Sequence, residues 1–128
     1  AEHATERFER ALADQRIRTK HASVLAVIDA EGAMSQRELC RRLQIDKSPM
    51  VGLVDDLEQL GLAERRRSDA DRRVQAISLT GKGRVAVARV MQIAEMENDR
   101  TFGVLDDDER DELHKLLLKV AEATVDLR

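Results

Sequence analysis

The sequence predicts a mainly α-helical fold with one small β-hairpin, organised as a single domain over residues 1–128. Three observations support this class. Only Pro49 and six glycines interrupt the 128 residues. Apolar residues recur at steps of three and four through most of the chain, and two short alternating segments near its middle flank a polar turn. Because 42% of the residues are apolar and only two are aromatic, the core must be built from aliphatic side chains.

Two helices are predicted in the first quarter of the chain. Residues 5–15 place Phe8, Ala11 and Leu12 at helical spacing, and the charged stretch "DQRIRTK" follows. The next apolar stretch, "HASVLAVIDA", lacks the alternation of a half-buried strand and ends close to Gly32, a natural helix stop. We therefore expect one helix on each side of the charged stretch.

Two shorter helices are predicted next, in tandem. In "SQRE", Ser35 is an N-cap and Glu38, three residues later, completes a capping box; the helix that they open ends at "QID". Asp46 or Ser48 caps the following helix, and Pro49 is tolerated there because it lies in the first turn. Apolar residues along this helix form one buried face: Met50, Leu53, Val54, Leu57 and Leu60.

The pattern changes after this helix, which Gly61 ends. The segments "LAERRR" and "VQAISL" are strand candidates, and the polar cluster "SDAD" between them favours a turn. Two tandem helices joined by a short turn form a helix-turn-helix, and a hairpin placed directly after it is called a wing. Residues 19–84 are therefore predicted to form a winged helix-turn-helix.

The last third of the chain is predicted to be helical. A long helical pattern runs from Thr80 to about Phe102, and Asp106 with Glu109 predicts a second capping box before a last helix. That helix is expected to bury a further apolar face: Leu113, Leu116, Leu117, Val120 and Val125. Since a small winged domain does not need so many apolar positions, we expect residues 1–18 and 85–128 to be dimerisation helices of a homodimer.

The charge is unevenly distributed, which favours an anionic partner. Although the chain carries a net charge of −3, residues 65–84 contain seven basic side chains. Residues 31–84 hold nine acidic and eleven basic residues, whereas residues 85–128 hold eleven acidic and six basic ones. A basic middle region in an acidic chain is typical of a surface that meets nucleic acid.

The second helix of a helix-turn-helix enters the major groove of DNA with its N-terminal residues near bases and phosphates. Lys47 is predicted to bind a phosphate, and Ser48 a phosphate or a base edge. Val51 is placed to touch a thymine methyl group, and Gly52 beside Pro49 allows close backbone approach. These side chains are few and small, so the helix reads sequence weakly. One helix earlier, Ser35 and Gln36 are predicted to offer a helix N-terminus to phosphate.

The wing is better equipped to bind DNA. Arg72 and Arg73 lie at its tip, where an arginine can enter the minor groove. Asp71 would repel DNA unless it holds the guanidinium group of Arg73 in a fixed pose, which is the role that we predict for it. Further cations are predicted to reach flanking phosphates: Arg65, Arg66, Arg67, Lys82 and Arg84.

Over residues 19–84, "SQRELCRRLQIDKSPMVGLVDDLEQLGLAERRRSDADRRVQAISLTGKGR" in particular, the chain resembles the MarR family of bacterial transcription regulators. The most specific element is the "D-x-R" of the wing followed by "LT-x-x-G". The positions that match it are Asp71, Arg73, Leu79, Thr80 and Gly83.

The resemblance implies a dimeric winged helix-turn-helix repressor or activator, in a family often released from DNA by small aromatic acids, oxidants or drugs. It also implies that Asp71 braces the arginine that enters the minor groove. The chain departs from the family at Pro49, Val51 and Gly52, where polar or basic residues are common.

We therefore expect a cytoplasmic regulator, a repressor responsive to a small molecule or stress signal. It would bind a pseudo-palindrome in double-stranded DNA as a dimer, with half-sites roughly 10 bp apart. An effector would lie between the dimerisation helices and the winged lobe, with Arg16, Arg18 or His21 as a polar anchor. The alternative is a winged-helix module that binds protein instead of DNA. The few and small side chains at the start of the second helix of the helix-turn-helix favour this alternative, and the wing arginines oppose it.

Other kinds of site have little support. Cys40 is either a redox switch or, as we favour, a small buried hydrophobe. The three histidines share no metal-ligand spacing, and the acids of "DDDERDE" suit a helix N-terminus, so no metal is expected. Met91 and Met96 are expected in the core rather than in a ligand cleft.

An enzyme is the poorest fit, because the sequence has neither a nucleophile elbow nor a cofactor-binding loop, and no cofactor is expected. The single cysteine excludes an internal disulfide and is typical of a reducing compartment. No apolar run approaches the roughly 20 residues that span a bilayer, and "AEHATERFER" is too charged for a secretory signal. These features underlie the expectation of a cytoplasmic protein without a membrane partner.

Overall fold

The fold is mainly helical with one small antiparallel sheet, as predicted. The computed structural model describes the backbone of residues 4–126 and the side chains of residues 5–123. The helices are α1 (Ala4–Ala13), α2 (Thr19–Glu31), α3 (Gln36–Leu43), α4 (Lys47–Gln59), α5 (Gly81–Phe102) and α6 (Asp107–Asp126). The strands are β1 (Met34–Ser35), β2 (Ala63–Arg67) and β3 (Gln75–Leu79).

The chain divides within α5 into two compact units, one ending at Ala94 and the other beginning at Glu95. We call the described part of the first unit, residues 4–94, the winged lobe. The described part of the second unit, residues 95–126, is called the C-terminal segment. The helix-turn-helix and the hairpin belong entirely to the winged lobe.

The sheet has the strand order β1-β3-β2, with both pairs antiparallel. The hairpin pairs Ala63 with Leu79 at one end and Arg67 with Gln75 at the other, close to the predicted boundaries. Strand β1 was not predicted. It contains only two residues, paired with Ile77 and Ala76, and so short a segment carries no periodic pattern.

Aliphatic side chains from most elements of the winged lobe form one core. Its fully buried members come from α1, α2, α3, α4 and β3: Leu12, Val24, Leu25, Leu39, Met50, Val54, Leu57 and Ile77. The predicted stripe of α4 is confirmed from Met50 to Leu57, and Leu60 packs half-buried against the core. Because this stripe faces inward, the residues on the opposite side of α4 are left for function.

The ends of the helices confirm much of the predicted capping chemistry. The hydroxyl of Ser35 accepts a hydrogen bond from the backbone N–H of Glu38 at 3.1 Å. The Glu38 carboxylate, however, binds Arg41, and this hydrogen bond holds the pKa of Glu38 below its usual value. Asp46 occupies the N-cap position of α4 without a side-chain hydrogen bond. Asp106 and Glu109 form the complete box, with both reciprocal bonds.

The start of α5 docks on the turn after α4, which explains the "LT-x-x-G" spacing. Thr80 caps α5 by accepting the N–H of Gly83, and its hydroxyl donates to the carbonyl of Gly61 at 2.6 Å. A Cβ atom on Gly83 would lie 1.9 Å from the carbonyl oxygen of Leu62. The close approach of α5 to this turn therefore requires glycine at position 83.

The predicted burial of the last helix is wrong for the single chain. Leu116, Leu117 and Val120 are more than half exposed, and Leu113 is half-buried. The side chain of Val125 lies outside the described residues. Met91 and Met96, expected in the core, are also about half exposed. Helical periodicity identifies an apolar face correctly, but it does not reveal whether that face is covered by the same chain.

Candidate nucleic-acid interface

The N-terminal half of α4 presents a surface whose exposed side chains are few and mostly small. Lys47, Ser48, Pro49 and Gly52 are exposed, and Val51 is half-buried. Apart from its chain neighbours and the backbone of its own helix, no heavy atom lies within 4 Å of the position where a Cβ atom would stand on Gly52. This face of α4 is therefore accessible to a partner molecule. It offers that partner one ammonium group, from Lys47, and one hydroxyl group, from Ser48.

Arg65, predicted to bind phosphate, is instead held against α4. Its side chain is only 21% exposed and pairs with Asp55 at 2.9 Å and with Glu58. Two carboxylates around one guanidinium leave this cluster with a net negative charge. The position of Arg65 in the sequence suggested a free cation, but β2 runs beside α4 and turns the side chain toward that helix.

The tip of the wing is organised by its own hydrogen bonds. The backbone N–H groups of Ser68 and Val74 donate to the carbonyls of Val74 and Asp71, at 2.8 and 3.0 Å. The hydroxyl of Ser68 accepts the N–H groups of Ala70 and Asp71. A guanidinium nitrogen of Arg67 donates to the carbonyl of Arg72 at 2.8 Å. These bonds give the seven-residue connection a defined shape.

Asp71 and Arg73 form the pair that the sequence predicts. The carboxylate accepts the backbone N–H of Arg73 at 3.0 Å and its Nε and Nη2 groups at 3.2 Å each. The Arg73 side chain is nevertheless 89% exposed. The fork is thus fixed at its base and presented to solvent, a geometry suited to insertion into a narrow groove.

The charge state of the pair follows from the same contacts. Hydrogen bonds from the side chain and then from the backbone N–H of Arg73 hold the pKa of the Asp71 carboxyl below its usual value. A carboxyl with a lowered pKa stabilises the folded state above its unfolded pKa, and it loses that contribution as the pH falls through the folded value. The Asp71 carboxylate is therefore ionised at neutral pH.

The remaining predicted phosphate ligands are divided between exposed positions and internal contacts. The Lys82 ammonium donates to the carbonyl of Leu60 at the end of α4, at 2.9 Å, where a cation also suits the helix dipole. Arg66 pairs with Glu64 at 2.7 Å but stays 72% exposed. Arg72 is exposed at the tip. At the start of α3, Gln36 is half-buried beside Ser35.

Two contacts to α4 were missed by sequence reasoning, which treated His21 only as a possible ligand anchor. The imidazole of His21 is 3% exposed, and its Nε2 lies 2.8 Å from Oδ2 of Asp56. Its Nδ1 accepts the backbone N–H of Arg18 at 3.0 Å. Neither this contact nor that of Arg65 with Asp55 and Glu58 has a local sequence signal, because the partners are 35 and 7–10 residues apart.

A cavity of about 650 Å³ adjoins α4 on the side of α1 and α2. Its wall contains Arg18, Lys20 and Glu9. It also contains Pro49 and Gly52, from the exposed N-terminal half of α4. Asp56 also lines it, so the cavity reaches the carboxylate that binds His21. The lining combines aliphatic surface with a few charged groups, the usual composition of a small-molecule site.

The described residues offer little to other chemistries. Across residues 4–126, no group of three metal-ligating side chains is gathered. Within the same part of the chain, no helix has both the length and the apolar character to span a bilayer. Cys40, favoured as a small buried hydrophobe, is partly buried and packs against the core.

Comparison with known proteins places this geometry in context. The model of the MarR family matches residues 17–74. The chain is 37% identical over 98 residues to a Thauera aromatica protein named for transcriptional regulation of the hcr operon, and 31% identical over 88 residues to the regulator BilQ of Clostridium symbiosum. These matches cover 76% and 69% of the chain and span 58% and 61% of the two relatives, less than two thirds of their length.

Solved structures of transcription regulators are similar to this chain in fold and in sequence. The repressor CouR, bound to a 23-mer DNA duplex, shares 34% identity and a TM-score of 0.77, over 92% of this chain and 84% of CouR. The structure of MarR shares 25% identity and a TM-score of 0.79, over 93% of this chain and 81% of MarR.

Proposed function

Because the chain belongs to the MarR family, we propose that it is a transcription regulator that binds specific sequences in double-stranded DNA as a homodimer. In this proposal the N-terminal half of α4 enters the major groove and the tip of the wing enters the minor groove. A pseudo-palindrome with half-sites roughly 10 bp apart matches the two-fold symmetry of such a dimer. The chain is assigned no catalytic activity.

The observation that carries the proposal is the geometry of Arg73. Its guanidinium group is held by Asp71 at two points and remains 89% exposed at the end of the wing. An exposed arginine loses conformational entropy when it inserts into a groove, and the brace reduces that loss. The open face of α4, with Lys47 and Ser48, lies in the same winged lobe.

We assign the individual residues accordingly. Lys47 and Ser48 contact the major groove beside the backbone of Pro49 and Gly52, with Val51 at the edge of the contact. Arg72 and the N-terminus of α3, at Ser35 and Gln36, contact phosphates. Arg65 and Lys82 hold α4 instead, since both cations already have acceptors on that helix or at its end, although Lys82 is exposed.

The homodimer is proposed to form through residues 1–18 and 85–128, within one domain that spans residues 1–128. The exposed leucines of α6 support this, because a soluble single chain rarely leaves Leu116, Leu117 and Leu118 in one exposed run. We further propose that the regulator is a repressor whose small-molecule effector occupies the 650 Å³ cavity. There Arg18, one of the predicted anchors, is in the wall.

The proposal is tested by selection of binding sites from a pool of random DNA duplexes across a salt series. The wild-type chain should enrich one pseudo-palindrome, with affinity that falls steeply as salt rises. The variant Arg73→Ala should bind that duplex roughly 30-fold more weakly, the loss expected for one inserted arginine. The variant Arg41→Ala removes an exposed arginine of α3 that is paired with a carboxylate, as Arg73 is, and it should bind like the wild type.

A folded wild-type dimer that enriches no duplex at low salt would overturn the proposal. That outcome would favour a winged-helix module that binds protein, to which the small residues at Pro49, Val51 and Gly52 are also suited.

A further inference from the structure

Helix α4 is held by polar contacts on both flanks, and these contacts start from two adjacent carboxylates. Asp55 binds Arg65 of β2 at 2.9 Å. Asp56 binds His21 of α2, with 2.8 Å between Oδ2 and Nε2. Successive residues of an α-helix point about 100° apart, so the two side chains leave α4 in different directions. One meets the sheet and the other meets α2.

The hydrogen bonds of His21 define its protonation. Nδ1 accepts the N–H of Arg18, so this nitrogen carries no proton. The proton of the neutral ring is therefore on Nε2, from which it is donated to the Asp56 carboxylate. Both ring nitrogens have partners, and the His21 side chain is only 4% exposed. Such a ring has little freedom to move, so it is a rigid point of attachment for Asp56.

The apolar contacts of α4 decide which side of the helix faces the core, and they leave its exact rotation to be set by polar contacts. The stripe of Met50, Leu53, Val54 and Leu57 fixes the depth of the helix in the core, but apolar contacts are non-directional. The N-cap residue Asp46 makes no side-chain hydrogen bond that would anchor the first turn. On one flank, the hydrogen bond between His21 and Asp56 resists a roll of the helix about its own axis. On the other flank, Arg65 resists it through an ion pair with Asp55 and a hydrogen bond to Glu58.

We propose that His21 and Asp56 are positioning residues, which together with Arg65 and Asp55 on the other flank set the roll of α4 in the winged lobe. Their role in DNA recognition rests on the function proposed above. A roll of α4 would redirect Lys47, Ser48 and Gly52 relative to the bases, while the phosphate contacts of the wing would remain. Loss of the pair therefore reduces discrimination between sequences more than it reduces overall attraction to DNA.

Asp56→Ala and Asp56→Asn test the proposal, since both remove the same charge. The amide oxygen of Asn can still accept the Nε2–H of His21, whereas Ala cannot. Affinities are measured for the duplex most enriched by the wild type and for a scrambled duplex of the same composition. Asp56→Ala should lose roughly 10-fold in affinity for the enriched duplex and should bind the scrambled one unchanged. Asp56→Asn should stay within about threefold of the wild type for both.

Asp29→Ala is the matched control, because Asp29 is an exposed carboxylate on α2. A purely structural role of Asp56 would lower the folded fraction and weaken both duplexes equally. Equal losses for Asp56→Ala and Asp56→Asn, or none for either, would overturn the positioning role.

Hydrogen exchange makes the proposal testable without DNA. In Asp56→Ala, amides of α4 should exchange at least about fivefold faster than in the wild type, while those of β2 and β3 keep their rates. In Asp56→Asn, the rates in α4 should be those of the wild type. Unchanged exchange throughout α4 in Asp56→Ala would overturn the inference. If α4 loosens as expected but the wild type enriches no duplex, the positioning role stands and only the proposed DNA binding fails.

Discussion

The winged lobe and the C-terminal segment use similar aliphatic residues with opposite results. In the lobe, leucines and isoleucines from α1, α2, α3, α4 and β3 are buried against one another, and Leu25, Leu39 and Leu57 are fully inaccessible. In the C-terminal segment, Leu116, Leu117 and Leu118 are all about half exposed. The two regions have the same helical periodicity. The lobe completes its own core, whereas the segment leaves apolar side chains exposed, and this exposure is the basis of the proposed dimer.

The largest expected effect comes from a charge placed in the exposed apolar surface of α6. In the variant Leu117→Glu, a dimer buried at this surface would contain an unpaired carboxylate, at a cost of about 3–5 kcal/mol. Light scattering at micromolar concentration should change from the mass of two chains to that of one. Affinity for the enriched duplex should fall by at least roughly 100-fold.

Leu117→Met is a volume-conserving control. It should leave the mass from light scattering and the affinity for the enriched duplex near those of the wild type. A wild-type mass of one chain, or a Leu117→Glu variant that remains a dimer, would show that α6 does not form the interface.

The second effect concerns the winged lobe. The change in the free energy of unfolding that each glycine variant causes should be the same at different protein concentrations. In Gly83→Ala, the new methyl group would meet the carbonyl oxygen of Leu62, so the free energy of unfolding should fall by about 2–3 kcal/mol. Gly52→Ala is the matched control. Apart from its chain neighbours and the backbone of its own helix, no heavy atom lies within 4 Å of the new Cβ. Because alanine also favours the helix, the free energy of unfolding should rise by about 0.5–1 kcal/mol.

Denaturant titration at two protein concentrations measures both glycine variants. Equal changes in the two variants would mean that the start of α5 does not pack closely against the turn after α4.

The smallest effect is local to the C-terminal segment. Asp106→Ala removes the acceptor that caps the N–H of Glu109 at 2.8 Å, and should destabilise α6 by about 1 kcal/mol. Hydrogen exchange in the first turn of α6 should accelerate about fivefold, with the winged lobe unaffected. Asp107→Ala, the next residue, should cost only about 0.3 kcal/mol through the helix dipole. Similar acceleration in both variants would contradict the capping role of Asp106.

The predictions from sequence succeeded where the cause is local. The N-cap at Ser35, the box at Asp106 and the stop at Gly61 depend on hydrogen bonds between residues a few positions apart. The brace between Asp71 and Arg73 is equally local, since its partners lie only two positions apart in a tight turn. Its geometry was predicted correctly, whereas its entry into a DNA groove stays a prediction.

The amino-acid sequence by itself determined the order and type of every element except β1, the buried stripe of α4 and the arginine presented by the wing. Periodicity and turn chemistry act within a few residues, and they can be read along the chain. Only the tertiary structure decided that Arg65 pairs with Asp55, and that His21 contacts Asp56. It also decided that Met34 and Ser35 pair with β3 in the sheet. These contacts depend on which elements become neighbours when the core closes, and the choice among several carboxylates for one cation is made by that packing.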